Sequence, residues 1–339
     1  MTMSQAPDTA SSSRPGAIEI LTKKHMQLFS GRAYPELAQE VADHIGLQLG
    51  DVDIHEFANG EIYVRLNENV RGSDVFIFQS HSDPVNRNLM EQLIMIDALK
   101  RASAKRIVAV VPFYGYGRQD KKSRSREPIT ARLVADLFTV AGANRVVSVD
   151  LHTGQIQGFL NEPLDHLTAL PLLVDWINGY WGREEVVVVS PDAGRVRLAE
   201  KFQGQLAGAT IAILHKTRKE HNVAEALAVV GDVSGRTCVL VDDMIDTAGT
   251  MCAAAEALTE QGARRVVACA THPVLSGSAC ERLDKSPIER VAVTNTLPIP
   301  PGCSSDKIEV LSIAPTIAST LKAVFEDESV SELFSDQNQ

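Results

Sequence analysis

The sequence predicts an α/β protein of two similar domains, each a parallel sheet flanked by helices. Two observations carry that expectation. Short β-branched runs alternate with amphipathic segments along the 339 residues, and most of those runs are continuously apolar, as parallel strands covered on both faces must be. The pattern also repeats coarsely: a strand at 107–111 leads through a polar loop at 112–128 to a helix, and a strand at 238–241 leads through a loop at 242–250 to another. Such alternation implies right-handed crossovers, and ligands then bind at loops leaving the carboxyl ends of strands.

In chain order, strands are expected at 18–21, 75–79, 107–111, 146–149, 186–189, 210–214, 238–241, 266–270 and 291–294. The clearest helices are 88–102, 129–141 and 251–261. The Ser/Ala/Pro-rich residues 1–16 are expected to be a disordered tail. Domains are expected at 17–164 and 165–325, with a second tail at 326–339.

Composition narrows the function. Hydrophobic residues make up 44%, which is ordinary for a chain that buries a full core. Thirty-three Lys and Arg against 43 Asp and Glu leave a net charge of −10. That total argues against a general nucleic-acid binder or a protein of anionic membranes, so an anionic ligand must meet a local basic site. No apolar run approaches the roughly 18 residues of a membrane span, and the N-terminus lacks a signal peptide's apolar centre. Five cysteines form no C-x-x-C pair. They are expected to be reduced, in a cytoplasmic protein.

Gly115-Tyr-Gly117 invites a dinucleotide fingerprint, but Asp120 stands at the third glycine position and no P-loop is present. The chemistry lies in other loops. In the stretch from Val241 to Thr250, an apolar run ends at Asp242 and Asp243, and Asp246, Thr247, Ala248, Gly249 and Thr250 then open a helix. Backbone N–H groups and hydroxyls there can converge on one phosphate. Paired carboxylates suit ribose hydroxyls or Mg²⁺. An N-cap turn beside two solvated acids is the bland alternative.

The loop from Pro112 to Arg126 holds Arg118, Gln119 and five basic residues within 118–126, enough to neutralise a polyphosphate. His152 and Asp192 each follow an apolar strand and could touch a metal or its waters. A histidine there is as often structural, and the residues alone do not choose. Lys216 and Arg218 form a cationic cluster past a strand, in a polar 214–224 stretch expected to be flexible. Phe57, Asn59 and Glu61 offer a stacking face and polar groups for a base edge, though an exposed turn is the default for such a segment.

The stretch VDDMIDTAGT resembles the ribose-5-phosphate loop of phosphoribosyltransferases. Together FANGE, YGRQDKK, DLHTGQIQGF, SPDAG, HKTR and VDDMIDTAGT, in that order, resemble the ribose-phosphate diphosphokinases, from about residue 18 to residue 334. The resemblance implies two domains of the type I phosphoribosyltransferase kind, the first binding ATP and the second ribose 5-phosphate. It implies transfer of the diphosphoryl group of MgATP to the anomeric hydroxyl of ribose 5-phosphate.

By the same resemblance, Asp246 to Thr250 cradle the 5-phosphate, Asp242 and Asp243 hold the ribose hydroxyls, and Arg118, Gln119 and His152 contact ATP. His152 and Asp192 are the magnesium positions, Lys216 and Arg218 belong to a loop closing over the transition state, and Phe57, Asn59 and Glu61 grip adenine from a neighbouring subunit. Many members are hexamers regulated by phosphate and ADP; Arg71, Ser103 and Arg126 match that regulatory site, and the 303–307 loop is expected to join it. Three departures stand out. Ala248 replaces a common glycine and is expected to need a negative φ. Arg195 replaces a frequent glycine and adds a cation beside the metal position, and Gly117 replaces a small residue. An ordinary phosphoribosyltransferase would have no use for FANGE or YGRQDKK, and a silent regulatory subunit would lack the catalytic cations present here.

Overall fold

The protein is described from a computed structural model, which covers residues 24–330 apart from 183 and 218–225. The elements of the first half are β1 (Met26–Ser30), α1 (Pro35–Ile45), β2 (Val52–Glu56), β3 (Ile62–Leu66), β4 (Asp74–Phe78), α2 (Val85–Arg101), β5 (Arg106–Val111), α3 (Thr130–Ala141), β6 (Arg145–Val149) and β7 (Leu164–Leu167). Those of the second are α4 (Leu170–Trp181), β8 (Val186–Ser190), α5 (Val196–Gln205), β9 (Thr210–Thr217), β10 (Ala226–Val230), β11 (Thr237–Ile245), α6 (Gly249–Glu260), β12 (Arg265–Pro273), α7 (Ala279–Lys285), β13 (Ile288–Thr294), β14 (Ile308–Leu311) and α8 (Ala314–Glu326).

Two sheets result. The first is parallel throughout, in the order β1-β4-β5-β6-β7. The second runs β10-β9-β8-β11-β12-β13-β14 and is parallel except that β10 lies antiparallel to β9. A separate antiparallel hairpin pairs β2 with β3. β7 belongs to the first sheet, so that sheet reaches three residues past the boundary expected at 164.

The apolar runs still obey the two-residue period of a strand. Phe76 and Phe78 of β4 face one core, whereas Val75 and Ile77 face another packed under α2 and α3. The first of these cores is shared by both sheets: Leu28, Val108 and Val147 join Val188, Val239 and Val267, with α1, α4 and α8 supplying the layer between. At about 1.5–3 kcal/mol for each large apolar side chain buried, this shared layer is the main bond between the halves. Polar ties reinforce it. Glu40 of α1 accepts hydrogen bonds from Asn295 (3.0 Å) and Ser312 (2.5 Å), and Asp150 accepts one from Thr271 (2.6 Å).

Several expectations are corrected. β11 runs on to Ile245, so Asp242 and Asp243 stand on the strand and not in the loop after it. β9 continues to Thr217 because β10 pairs with it, Thr217 opposite Ala226. Cys280 and Cys303 are joined in a disulfide and are not reduced; β13 runs beside β12 and returns the chain past α7, which brings the two Cα atoms within 5.6 Å. The strand expected at 18–21, the tail at 1–16, Arg218 and most of the 214–224 stretch lie outside the described residues. No described helix is long and apolar enough to cross a membrane.

Candidate active site

Loops leaving the carboxyl ends of strands in both sheets line shared space. A cleft of about 1120 Å³ separates the loop after β5, including Tyr116, Arg118 and Gln119, from the segments after β12 and β13. A second cavity of about 590 Å³ is lined by His152, Arg195, Asp242 and Asp243.

The loop after β5 is shaped by what lies beneath it. Gly115 donates its N–H to Nδ1 of buried His81 (3.0 Å), so the proton sits on Nε2 and is given to Gln92 Oε1 (3.0 Å). Burial pushes this imidazole down to about 4. A Cβ at Gly115 would lie 2.9 Å from His81 Cβ, and one at Gly117 would lie 3.2 Å from the Tyr114 carbonyl oxygen and 3.5 Å from His152 Cβ. The two glycines therefore let the loop lie against the histidines.

Beyond them Arg118 is exposed and reaches across the cleft to Asp246 (2.6 Å). Gln119 accepts a hydrogen bond from the Thr130 hydroxyl (2.5 Å) at the start of α3. Asp120, which broke the glycine fingerprint, is buried and accepts from Thr153 (2.7 Å) and Gln155 (2.5 Å), tying the loop to the segment of His152.

The loop after β11 is held from its far side. Leu275 and Ser276 donate their N–H groups to the carbonyls of Ile245 and Asp246, both at 2.9 Å, and Arg282 of α7 donates to the carbonyl of Thr247 (2.8 Å). Ala248 takes φ +61°, ψ −1°, the left-handed region that the sequence reading excluded for alanine. Side chains there cost roughly 1–2 kcal/mol, which the surrounding bonds offset. The conformation turns the chain into α6, whose N-terminus carries no side-chain cap. Its first-turn N–H groups are therefore open to an anion, with the helix dipole behind them. Although partial burial opposes it, hydrogen bonds from Ser276 and Arg118 hold Asp246 below the usual carboxylate range.

Asp242 and Asp243 meet His152 and Arg195. His152 Nδ1 lies 2.8 Å from Asp243 Oδ2, and Arg195 Nη2 lies 2.8 Å from the same ring nitrogen. The guanidinium also makes charge contacts of 2.7 Å with Asp242 Oδ1 and with Asp243 Oδ1. Burial, and then neighbouring Asp243, push the Asp242 carboxyl up to about 8. Burial works to raise Asp243 too, but the His152 hydrogen bond and the Arg195 charge bring it down to about 2. One acid of the pair thus holds its proton more readily than the other.

Asp192 accepts the N–H groups of Gly194 (2.7 Å) and Arg195 (3.2 Å) on a single oxygen, which leaves its other oxygen free of protein hydrogen bonds among the described residues. Mg²⁺ binds through one or two carboxylates, with substrate phosphates and water completing its shell. The free Asp192 oxygen suits such a partial shell, although no group of three or more metal-ligating side chains occurs among the described residues.

Two predicted groups stand apart from this centre. Phe57, Asn59 and Glu61 form the tip of the β2–β3 hairpin, where Phe57 is 50% exposed and the Asn59 side chain accepts the Glu61 N–H (3.2 Å). Gly72 beside Arg71 donates to the Ser103 carbonyl (3.0 Å), whereas no hydrogen bond joins Arg126 to either among the described residues. Lys216 lies on β9, opposite Leu227. Sequence reasoning missed Ser276 and Arg282, whose support of the loop after β11 depends on β12 lying beside β11.

Paired acids on one strand, an uncapped helix start and an arginine brought from the other sheet define an α/β protein whose two halves meet at one charged cleft suited to a phosphorylated ligand. Family comparisons specify it. The N-terminal domain of ribose phosphate pyrophosphokinase matches residues 26–142, and the phosphoribosyl synthetase-associated domain matches residues 216–335. A ribose-phosphate pyrophosphokinase of Streptomyces coelicolor is 57% identical over 323 residues, covering 94% of this chain and 99% of that protein. One from Mycobacterium tuberculosis is 55% identical over 314 residues, covering 92% and 96%. The crystal structure of phosphoribosylpyrophosphate synthetase from Mycobacterium smegmatis superposes with a TM-score of 0.86 at 55% identity, covering 90% of this chain and all of that one. The chain belongs to the ribose-phosphate pyrophosphokinase family.

Proposed function

We propose that the space between the two sheets carries out this family's reaction: the diphosphoryl group of ATP passes to the anomeric hydroxyl of ribose 5-phosphate, giving 5-phosphoribosyl 1-diphosphate and AMP. The carrying observation is that the two half-sites meet, Arg118 pairing with Asp246 and His152 with Asp243. The 5-phosphate sits on the N–H groups of residues 246–250, with the hydroxyls of Thr247 and Thr250 beside it. Asp242 and Asp243 hold the ribose hydroxyls, which fixes the anomeric oxygen toward the first sheet. Arg118, Gln119 and His152 hold the nucleotide.

The anomeric oxygen attacks the β-phosphorus as AMP leaves in line, and the work is positioning together with neutralisation of phosphoryl charge. When bound at Asp192 and His152, Mg²⁺ supplies charge neutralisation across the phosphate oxygens. Lys216 and Arg218 offset the negative charge that develops in the transition state. Lys216→Ala is accordingly expected to lower kcat by at least ~100-fold with little change in KM. Steady-state kinetics showing an unchanged kcat would remove that role.

The assembly reading rests on apolar surface. Leu133 (56% exposed) and Val140 (75%) lie with Ile129 and Leu137 along α3, and Phe57 crowns a projecting hairpin. A second copy of this chain covers such surfaces in a homo-oligomer, a hexamer by resemblance, with Phe57, Asn59 and Glu61 completing a neighbour's adenine site. Arg71, Ser103 and Arg126 form the phosphate- or ADP-responsive site of that assembly. The enzyme works in the cytoplasm and feeds nucleotide biosynthesis. ³¹P NMR of the purified protein with MgATP and ribose 5-phosphate is expected to show AMP and a diphosphate on ribose C1. ATP left intact, with inorganic phosphate also present, would point to a regulatory subunit instead.

A further inference from the structure

Arg195 is the unusual member of the site. Its backbone is fixed, since its N–H is held by Asp192, and its Nη1 donates to the His152 carbonyl (3.1 Å). Yet its approaches to Asp242 and Asp243, both at 2.7 Å, are charge contacts without hydrogen-bond alignment; Asp243 Oδ1 is buried and has no hydrogen-bond donor. His152 Nδ1 is also over-subscribed, because one nitrogen cannot donate to Asp243 and accept from Arg195 in the same tautomer. The guanidinium is therefore held mainly by charge, in a place where its partners' directional bonds are incomplete.

We propose that Arg195 is a resident counter-ion for the Asp242–Asp243 pair, with which a divalent cation must compete, so that metal binding is coupled to the arrival of a phosphorylated substrate. The inference rests on reading His152 and Asp192 as the metal positions. An arginine keeps its proton at any working pH, so only a rival anion can draw it off the carboxylates. Arg195, Arg197 and Lys201 line the same 590 Å³ cavity as the two acids, so a phosphorylated ligand entering it gives the guanidinium a new partner. Releasing the acids then favours the metal, and by linkage the metal favours the substrate to the same degree. At an effective dielectric near 20, a unit positive charge beside a metal site opposes it strongly enough to shift the affinity by at least ~10-fold, so the effect is measurable.

The test uses Mn²⁺ as probe, with the free ion measured by electron paramagnetic resonance on the full chain. Without substrate, Arg195→Gln is expected to bind Mn²⁺ at least ~10-fold more tightly than the unaltered protein, and Arg195→Lys about equally to it. Inorganic phosphate, entering the cavity that Arg195 lines, is expected to tighten Mn²⁺ binding to the unaltered protein and to have much less effect on Arg195→Gln. Equal or weaker Mn²⁺ binding by Arg195→Gln would overturn the proposal. A destabilised Arg195→Gln is still informative: Mn²⁺ should raise its Tm more than that of the unaltered protein, and an equal rise would contradict the counter-ion role. Asp192→Asn separates the two readings. If that change leaves Mn²⁺ affinity untouched, the metal assignment itself fails; if it abolishes binding while Arg195→Gln changes nothing, only the counter-ion inference fails.

Discussion

The loop after β11 and the loop after β5 both leave buried parallel strands at the same cleft, yet they are built in opposite ways. The first is short, with Ala248 buried in a left-handed turn, and is fixed by Leu275, Ser276 and Arg282 from the neighbouring β12–α7 segment. The second is longer and exposed from Lys121 to Arg126, and it reaches its partner through one arginine side chain. A phosphate cradle made of backbone N–H groups depends on fixed geometry, whereas a clamp on a polyphosphate depends on charge and reach. The first should therefore respond to changes in its supports, and the second to changes in charge.

The base of the exposed loop gives the largest effect. His81 beneath Gly115 is neutral when folded, with its proton affinity lowered to about 4 by burial. The unfolded chain protonates this ring as pH falls through about 6.5, and the folded protein only near 4, so stability declines across that window and levels off below it. The loss is about 3 kcal/mol. Urea unfolding between pH 7 and 4 should show it, and a His81→Gln variant should lack that component of the decline. An identical pH profile in the variant would separate His81 from the loop's stability.

Arg118→Ala should lower kcat/KM by about 100-fold if Arg118 makes the proposed charged contact to the reacting phosphates. Arg118→Lys should recover only part of this, since a point charge replaces a fork. Full recovery by lysine would mean that charge alone is needed. Arg282→Ala tests the supported loop: KM for ribose 5-phosphate should rise about 10-fold with kcat nearly unchanged, because only ground-state positioning is weakened. A large fall in kcat would make Arg282 more than a positioning residue. The smallest effect is Ala248→Gly, which relieves the left-handed alanine and should stabilise the protein by up to about 1 kcal/mol, less whatever glycine loses in unfolded-chain entropy. Chemical denaturation showing a clear loss would mean that the Ala248 methyl contributes packing that outweighs the strain.

Much of this comparison was legible in the sequence. Continuous apolar runs located β4, β5, β6, β8, β12 and β13, because strands covered on both faces leave no polar positions to confuse the pattern. The loops at their carboxyl ends then carried most of the candidate site residues. Elements at the margins were not legible. β2, β3, β7 and β14 are only four or five residues long and hold mainly half-buried or exposed positions without a buried apolar run, a pattern shared with ordinary loops. The conformation of Ala248 was misread because a residue's own preference was weighed without the neighbouring strand that holds it. Arg282 gave no local signal, and the Cys280–Cys303 pairing could not be seen before β13 was placed beside β12. Contacts made by topology are invisible to spacing along the chain.

The central claim is that the two half-sites act as one centre, joined by Arg118 and Asp246. A double-mutant cycle on kcat/KM tests it, using Arg118→Ala, Asp246→Asn and the pair together. Partners in contact should give an interaction of at least about 1 kcal/mol, the double variant being much less impaired than the product of the single losses. Losses that multiply independently would show that the cation of the first sheet and the acid of the second serve separate tasks.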